Sequence, residues 1–252
     1  MHEIEDAFAN LPSANESWRE AARVRDAALT KPAGALGRLE ELAVFLAGWG
    51  DAPAPRADLA KAVVFAGNHG VTAHGVTPFP PAVTGQMVAN FRAGGAAINA
   101  LCAANDIALD VVALDLETPT GDITCAPALN QDAFLAAFNA GVAAVRGGGS
   151  ETPPETPADI YIFGEMGIGN TTIAAALGAH CLADPPAAWV GPGTGSAGPV
   201  LARKVAAVEA ACAHHADVPR SGLAPLLALG GRELAGIAGG VLAARLARRP
   251  VI

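Results

Sequence analysis

The sequence predicts an α/β domain, an open sheet with functional loops at the carboxyl ends of its strands and helices packed around it. Three observations carry that reading. Short apolar runs, Ala62–Ala66, Ile107–Leu114 and Ile160–Phe163, alternate with longer stretches of helical period. Two of the runs break into polar loops rich in glycine, Gly67-Asn68-His69-Gly70-Val71 and Gly164-Glu165-Met166-Gly167-Ile168-Gly169-Asn170-Thr171-Thr172. The 252 residues are rich in alanine and only 5% aromatic, which suits helices packed closely on a sheet.

Ser13 or Asn15 can cap a first helix over residues 16–29, with Trp18, Ala22, Arg25 and Leu29 at helical spacing. Lys31-Pro32-Ala33-Gly34-Ala35-Leu36-Gly37 interrupts it, and a second helix sets Leu36, Leu39, Leu42, Ala43 and Leu46 on one face. Residues 1–50 read as an N-terminal helical lobe and residues 51–252 as the α/β domain, joined through Pro53 and Pro55. The strand at 62–66 opens the sheet. Open α/β sheets hold ligands just beyond the carboxyl ends of their strands, so Asn68 and His69 are candidates. His69 can serve as an acid–base or hydrogen-bonding group, though a lone histidine beside glycines is more often a structural hydrogen-bonder.

The stretch Gly75–Pro81 holds too many prolines for regular structure; Val76 and Phe79 in it can wall a flat ring. A helix opening at Val83 or Thr84 carries Gln86, Met87, Asn90 and Phe91, and Gly94-Gly95 parts it from a helical piece at 96–103. The strand at 107–114 runs out at Asp115 and Glu117. Asn130 and Asp132 then start a helix reaching Arg146, and residues 147–157 form a flexible connector.

The organising stretch follows at 160–172. A strand that turns through glycines into a helix, with Asn170 or Thr171 as its cap, presents unpaired N–H groups at the positive end of a dipole. That is a seat for phosphate or another anion. No Gly-Lys-Ser/Thr follows, which excludes a Walker-type cradle, and Thr172 stands where a dinucleotide fingerprint has its third glycine. A short strand at 187–190 is expected to lead into a second bend, Gly191-Pro192-Gly193-Thr194-Gly195, so that both bends line one crevice. Lys204, about two turns past Gly198, can reach back toward an anion there, while Leu201, Val205, Val208 and Cys212 form the buried face of its helix. Gly230-Gly231-Arg232-Glu233 opens the last helix, which buries Ile237, Val241, Leu242 and Leu246. Val251-Ile252 begins a strand, inside which the chain is expected to be cut.

The net charge of −8, with arginines clustered only at Arg245, Arg248 and Arg249, excludes a nucleic-acid face. No apolar run reaches membrane-spanning length, and Glu3, Glu5 and Asp6 argue against a secretory signal. Cys102, Cys125, Cys181 and Cys212 lack metal-ligand spacing and read as reduced packing residues of a cytoplasmic protein.

Taken together, these motifs resemble the nicotinate-nucleotide–dimethylbenzimidazole phosphoribosyltransferase family of cobalamin lower-ligand synthesis. The resemblance rests on Lys31–Glu40, Gly67–Val71, Val83-Thr84 with Gln86-Met87-Val88, Gly94–Asn99, Gly164–Thr172, Gly193-Thr194-Gly195, and Gly230-Gly231 with Glu233. It implies a doubly wound, mostly parallel sheet with helices on both faces, a small helical lobe from the N-terminal region, and a homodimer. It implies transfer of phosphoribose from nicotinate mononucleotide to dimethylbenzimidazole, with inversion at the anomeric carbon, giving α-ribazole phosphate and nicotinate. Neither metal nor cofactor is implied. Glu165 resembles the family's active-site glutamate near ribose and nicotinate, and Lys204 matches the lysine beyond the second bend. Gly167, Gly169, Asn170, Thr171, Thr172, Gly193, Thr194 and Gly195 are the implied phosphate-side residues. Asn68 and His69 lie beside them, and Phe79, Gln86 and Met87 would face the benzimidazole. Asn68 stands where many members carry aspartate, and the family's Glu-Gly-Thr-Gly-Ala-type segment, usually assigned the general base, has no counterpart in these residues. The alternative is therefore a noncatalytic nucleotide- or azole-binding module.

Overall fold

The computed structural model describes residues 1–50, 52–147 and 157–252; most of the connector expected at 147–157 lies outside these, as does Asp51. Among the described residues, β1 (Ala60–Ala66), β2 (Ala108–Ala113) and β3 (Ile160–Met166) form a parallel sheet in the order β2-β1-β3. Phe65 pairs with Val112 on one side and Glu165 on the other, which brings the three carboxyl ends to one edge. The central strand β1 is buried almost throughout, which explains its unbroken apolar run. It begins two residues earlier than that run. The buried Lys61 is accommodated by Asp110 on β2 at 2.7 Å and the Ala144 carbonyl at 3.2 Å. Val251 bridges to Tyr161 in parallel, so the last residues lie beside β3.

Helices α1 (His2–Ala9), α2 (Glu16–Ala27) and α3 (Arg38–Trp49) precede the sheet, and α4 (Ala82–Arg92) and α5 (Ala97–Ala104) join β1 to β2. Between β2 and β3 runs α6 (Gln131–Arg146). After β3 come α7 (Asn170–Leu182), α8 (Pro186–Trp189), α9 (Gly198–His214), α10 (Ala224–Leu229) and α11 (Arg232–Leu246). Asn15 and Asn130 cap α2 and α6, accepting from the amides of Trp18 and Ala133 at 3.2 and 2.8 Å. No helix among the described residues is long and apolar enough to cross a membrane.

Several expected elements are corrected. Helix α2 stops at Ala27, and α1 and α10 are additional helices, too short to show a period in the sequence. Residues 187–189 are helical, not a strand. Proline at the first helical position favours a turn of helix, and the Trp189 ring packs where a Cβ on Gly178 would lie 2.6 Å away. The apolar face of α3 is largely uncovered: Leu39 is 62% and Leu42 43% exposed, and only Ala47, Gly48 and Trp49 are buried. A helical period shows that a face is apolar, not what covers it.

The main helix contact, α6 against α11, uses small residues. Gly236, Gly239, Gly240 and Ala243 are buried there, whereas the expected Ile237 and Val241 are half-buried and Leu246 is exposed. A Cβ on Gly141 would overlap the Gly236 carbonyl, and one on Gly239 would overlap the Phe138 carbonyl. Phe65 and Phe163 fill the sheet side, 2.8 and 2.7 Å from where Cβ atoms on Gly236 and Gly240 would stand. Glycine carries no hydropathy signal, so this face is invisible to the pattern. Gly239→Ala is expected to push the helices apart and cost about 1–3 kcal/mol, read as a lower denaturation midpoint at unchanged slope. An unchanged midpoint would mean that the contact yields freely.

Candidate active site

The two glycine bends face each other across a small crevice of about 100 Å³. Gly167, Gly169, Asn170, Thr171 and Thr172 line one wall, Gly193, Thr194 and Ser196 the other, and Val76 and Thr77 close one end. The first bend needs its glycines for different reasons. Gly169 has φ +93°, in the left-handed region, and caps α7 in place of the expected Asn170 or Thr171. Gly167 lies so close to β1 that a Cβ would stand 2.5 Å from the Gly67 carbonyl and 2.8 Å from His69 Nε2.

The anion seat is built differently from the open amide cradle the pattern suggests. The Ile168 amide donates to Thr84 Oγ1 at 3.1 Å, the Thr171 amide to Asn170 Oδ1 at 2.7 Å, and the Thr172 amide to the Gly169 carbonyl at 2.9 Å. With those donors engaged, the charge comes from Lys204. This residue lies on the buried face of α9, one register away from the expected Leu201–Val205 face, and is 2% exposed. Its Nζ donates to Thr171 Oγ1 at 2.8 Å and to the Gly191 carbonyl at 3.0 Å, tying the two bends together. Both partners are neutral. Burial pushes the Lys204 ammonium below its usual value. Thr172 Oγ1, on the same wall, is buried without a hydrogen-bond partner. Lys204 does not itself line the crevice but stands behind Thr171, which does; a desolvated cation there and a spare hydroxyl on the wall fit an anion.

Glu165 closes β3 beside this seat. Its carboxylate opens to solvent yet is hemmed in by the surrounding strand ends, and desolvation, above all, raises it from the usual carboxylate value. Asn170 Nδ2 donates to both carboxylate oxygens, at 2.6 and 2.5 Å, and pulls the other way. The Asn170 side chain thus links Glu165 to the Thr171 amide.

Other sequence candidates fall elsewhere. His69 is fully buried behind the first bend, and Asn68 is buried with its Nδ2 donating to the Leu116 carbonyl at 2.9 Å. Gly195, Phe79, Gln86 and Met87 do not line the crevice; Phe79 is 44% exposed and Gln86 exposed. Arg232 and Glu233 have no site role from the sequence. Both are buried, with Arg232 donating to the Thr118 carbonyl at 2.7 Å and to Asp115 at 3.2 Å. Two charged residues opening an otherwise apolar helix are the available signal.

A family model described as phosphoribosyltransferase matches residues 11–252, which places this parallel-sheet protein among the phosphoribosyltransferases. Proteins similar to this chain narrow that class. A nicotinate-nucleotide–dimethylbenzimidazole phosphoribosyltransferase of Novosphingobium aromaticivorans is 51% identical over 249 residues, covering 99% of this chain and 71% of the relative. One of Agrobacterium fabrum is 52% identical over 243 residues, covering 96% and 67%. The crystal structure of CobT from Thermus thermophilus superposes with TM-score 0.84 at 39% identity, over 93% of this chain and 73% of that one. The chain belongs to the nicotinate-nucleotide–dimethylbenzimidazole phosphoribosyltransferase family.

Proposed function

We propose that the chain transfers phosphoribose from nicotinate mononucleotide to dimethylbenzimidazole, giving nicotinate and α-ribazole phosphate. The observation that carries this reading is Lys204, a buried cation with only neutral partners, set where the two glycine bends meet. The phosphate binds Lys204 with the Thr171, Thr172 and Thr194 hydroxyls, which fixes the ribose beside Glu165. As the glycosidic C–N bond breaks, its electron pair neutralises the pyridinium nitrogen of nicotinate, so the leaving group needs no proton. A benzimidazole nitrogen forms the new bond from the opposite face, inverting the anomeric carbon. The attacking nitrogen is the unprotonated one; the single N–H, on the other ring nitrogen, must then lose its proton, and Glu165 accepts it. Phe79, Gln86 and Met87 contribute to holding the azole. The uncovered α2–α3 face, with Val24 and Leu39 each 62% exposed, supports a homodimer. The free thiols suit the cytoplasm, and residues 1–50 act as a lobe on the 51–252 domain.

Nicotinate release from nicotinate mononucleotide, followed with and without dimethylbenzimidazole, tests the assignment. Release that depends on the azole is expected. Tight mononucleotide binding without release would instead favour a noncatalytic binding module.

A further inference from the structure

Behind the first bend the structure holds a second pair of ionisable groups that phosphate binding does not use. Glu233, in the first turn of α11, and His69, just past β1, are both fully buried. Their side chains meet at 3.2 Å between His69 Nε2 and Glu233 Oε1, too poorly aligned for a hydrogen bond. Among the described residues neither the Glu233 oxygens nor the His69 ring nitrogens have a hydrogen-bond partner. An unsatisfied carboxylate and imidazole are costly to bury, and hydrophobic residues of similar volume would serve a purely structural purpose better.

The surroundings are shaped to this pair. A Cβ on Gly67 would stand 2.8 Å from Glu233 Oε2, and one on Gly167 2.8 Å from His69 Nε2. One on Gly231 would stand 2.6 Å from Glu233 Oε2 and 2.7 Å from His69 Cε1. These three glycines come from the end of β1, the bend after β3 and the start of α11, so every segment that meets the pair gives up its side chain. The same helix turn secures the third strand, since Arg232 binds Asp115 beyond β2. Asp115 itself is held at φ +47°, an uncommon conformation for a residue with a side chain. The start of α11 thus meets the ends of β1 and β2 directly and reaches the bend after β3 through His69.

We propose that Glu233 and His69 form a buried positioning dyad that holds the Glu165–Gly169 turn, and through it the carboxylate that acts as base. The dyad touches neither the crevice nor the reacting atoms; it acts through Gly167 and through charge. Glu233 and His69 are the charged groups that bear on Glu165, the first raising its affinity for a proton and the second, more weakly, lowering it. Arg232 and Asp115 lie beyond them on the β2 side, and Lys204 lies beyond Thr171, to whose Oγ1 it donates. The two members therefore have opposite signatures, which a merely structural contact would not produce.

The inference extends the role given to Glu165 above, so its test includes a readout that needs no turnover. In protein carrying carbon-13 glutamate, with the Glu165 carboxyl assigned by its absence in Glu165→Gln, the carboxyl is titrated in wild type, Glu233→Gln and His69→Gln. Glu233→Gln is expected to move the midpoint down, and His69→Gln to move it up. The acid limb of kcat/KM should follow in the same directions. Should His69→Gln fail to fold with Glu233 left alone in the core, the His69→Gln/Glu233→Gln double variant removes both charges and should shift the midpoint down by less than Glu233→Gln. Coincident midpoints in the folded variants would overturn the dyad. Loss of turnover in wild type, with the midpoints still displaced, would overturn the assigned reaction and leave the dyad standing.

Discussion

Replacing Lys204 with methionine should weaken binding of nicotinate mononucleotide while making the empty protein more stable. Removing a hydrogen bond to a charged group costs about 1.5–3 kcal/mol, so KM is expected to rise roughly 10- to 100-fold for that interaction alone. The gain in the empty protein follows from burial. Lys204 is 2% exposed, donates only to Thr171 Oγ1 and the Gly191 carbonyl, and is depressed by desolvation. Its folded value lies below the unfolded one, so the unfolded chain binds more protons as pH falls from the lysine value of 10.5 toward the folded value. The wild-type protein should therefore gain stability as pH rises through that window, and Lys204→Met, with nothing to titrate there, should not. Inorganic phosphate should raise the melting temperature of wild type and leave the variant unmoved. Arginine at 204 is not expected to restore binding, because a planar guanidinium does not replace a compact ammonium held between Thr171 Oγ1 and the Gly191 carbonyl. A Lys204→Met enzyme with unchanged KM would place the phosphate elsewhere.

How far the site was legible depends on what each residue signals by itself. Glu165 and the two bends are polar or glycine interruptions at strand and helix ends, and Lys204 is a charge inside a largely apolar helix; both kinds of signal show in a single sequence. That Lys204 is buried did not show. Its helix has a weak apolar face of alanines, so the larger Leu201 and Val205 drew the expected face one register too far. Occupied amides are likewise invisible: that Thr84 takes the Ile168 donor depends on a contact between residues 84 positions apart. Glu233 was seen only as part of a motif, since a carboxylate near a helix start ordinarily faces water. Nothing local says that this one turns into the core toward His69, 164 positions earlier in the chain. The fold was legible in its parallel strands and its βα alternation. It was not legible at α8, where proline outweighed a four-residue apolar run, nor at the α6–α11 contact, whose chemistry is the absence of side chains.

The second large effect falls on the chemical step. Glu165→Gln keeps the shape of the side chain and can still pair with Asn170 through its amide oxygen, so the phosphate seat should be intact and KM for the mononucleotide little changed. What goes is a proton acceptor, and the turnover number is expected to fall by about 10²–10⁴. The pH dependence carries the stronger test. Desolvation, followed more weakly by the Glu233 charge, raises Glu165, so the wild-type acid limb should lie above the ordinary carboxylate value of 4.5, with activity lost as pH falls through it. Asn170→Ala removes the two hydrogen bonds that favour the ionised form and should move that limb higher still. The residual activity of Glu165→Gln should show no such limb. Stability runs the other way. A carboxyl raised in the folded state holds its proton more tightly there, so its contribution is lost as pH rises from the unfolded value through the folded one. Glutamine resembles the protonated acid and cannot ionise, so Glu165→Gln should match wild type at pH 4 and melt higher at pH 7. A variant that turns over within threefold of wild type and keeps the same acid limb would move the base to another residue.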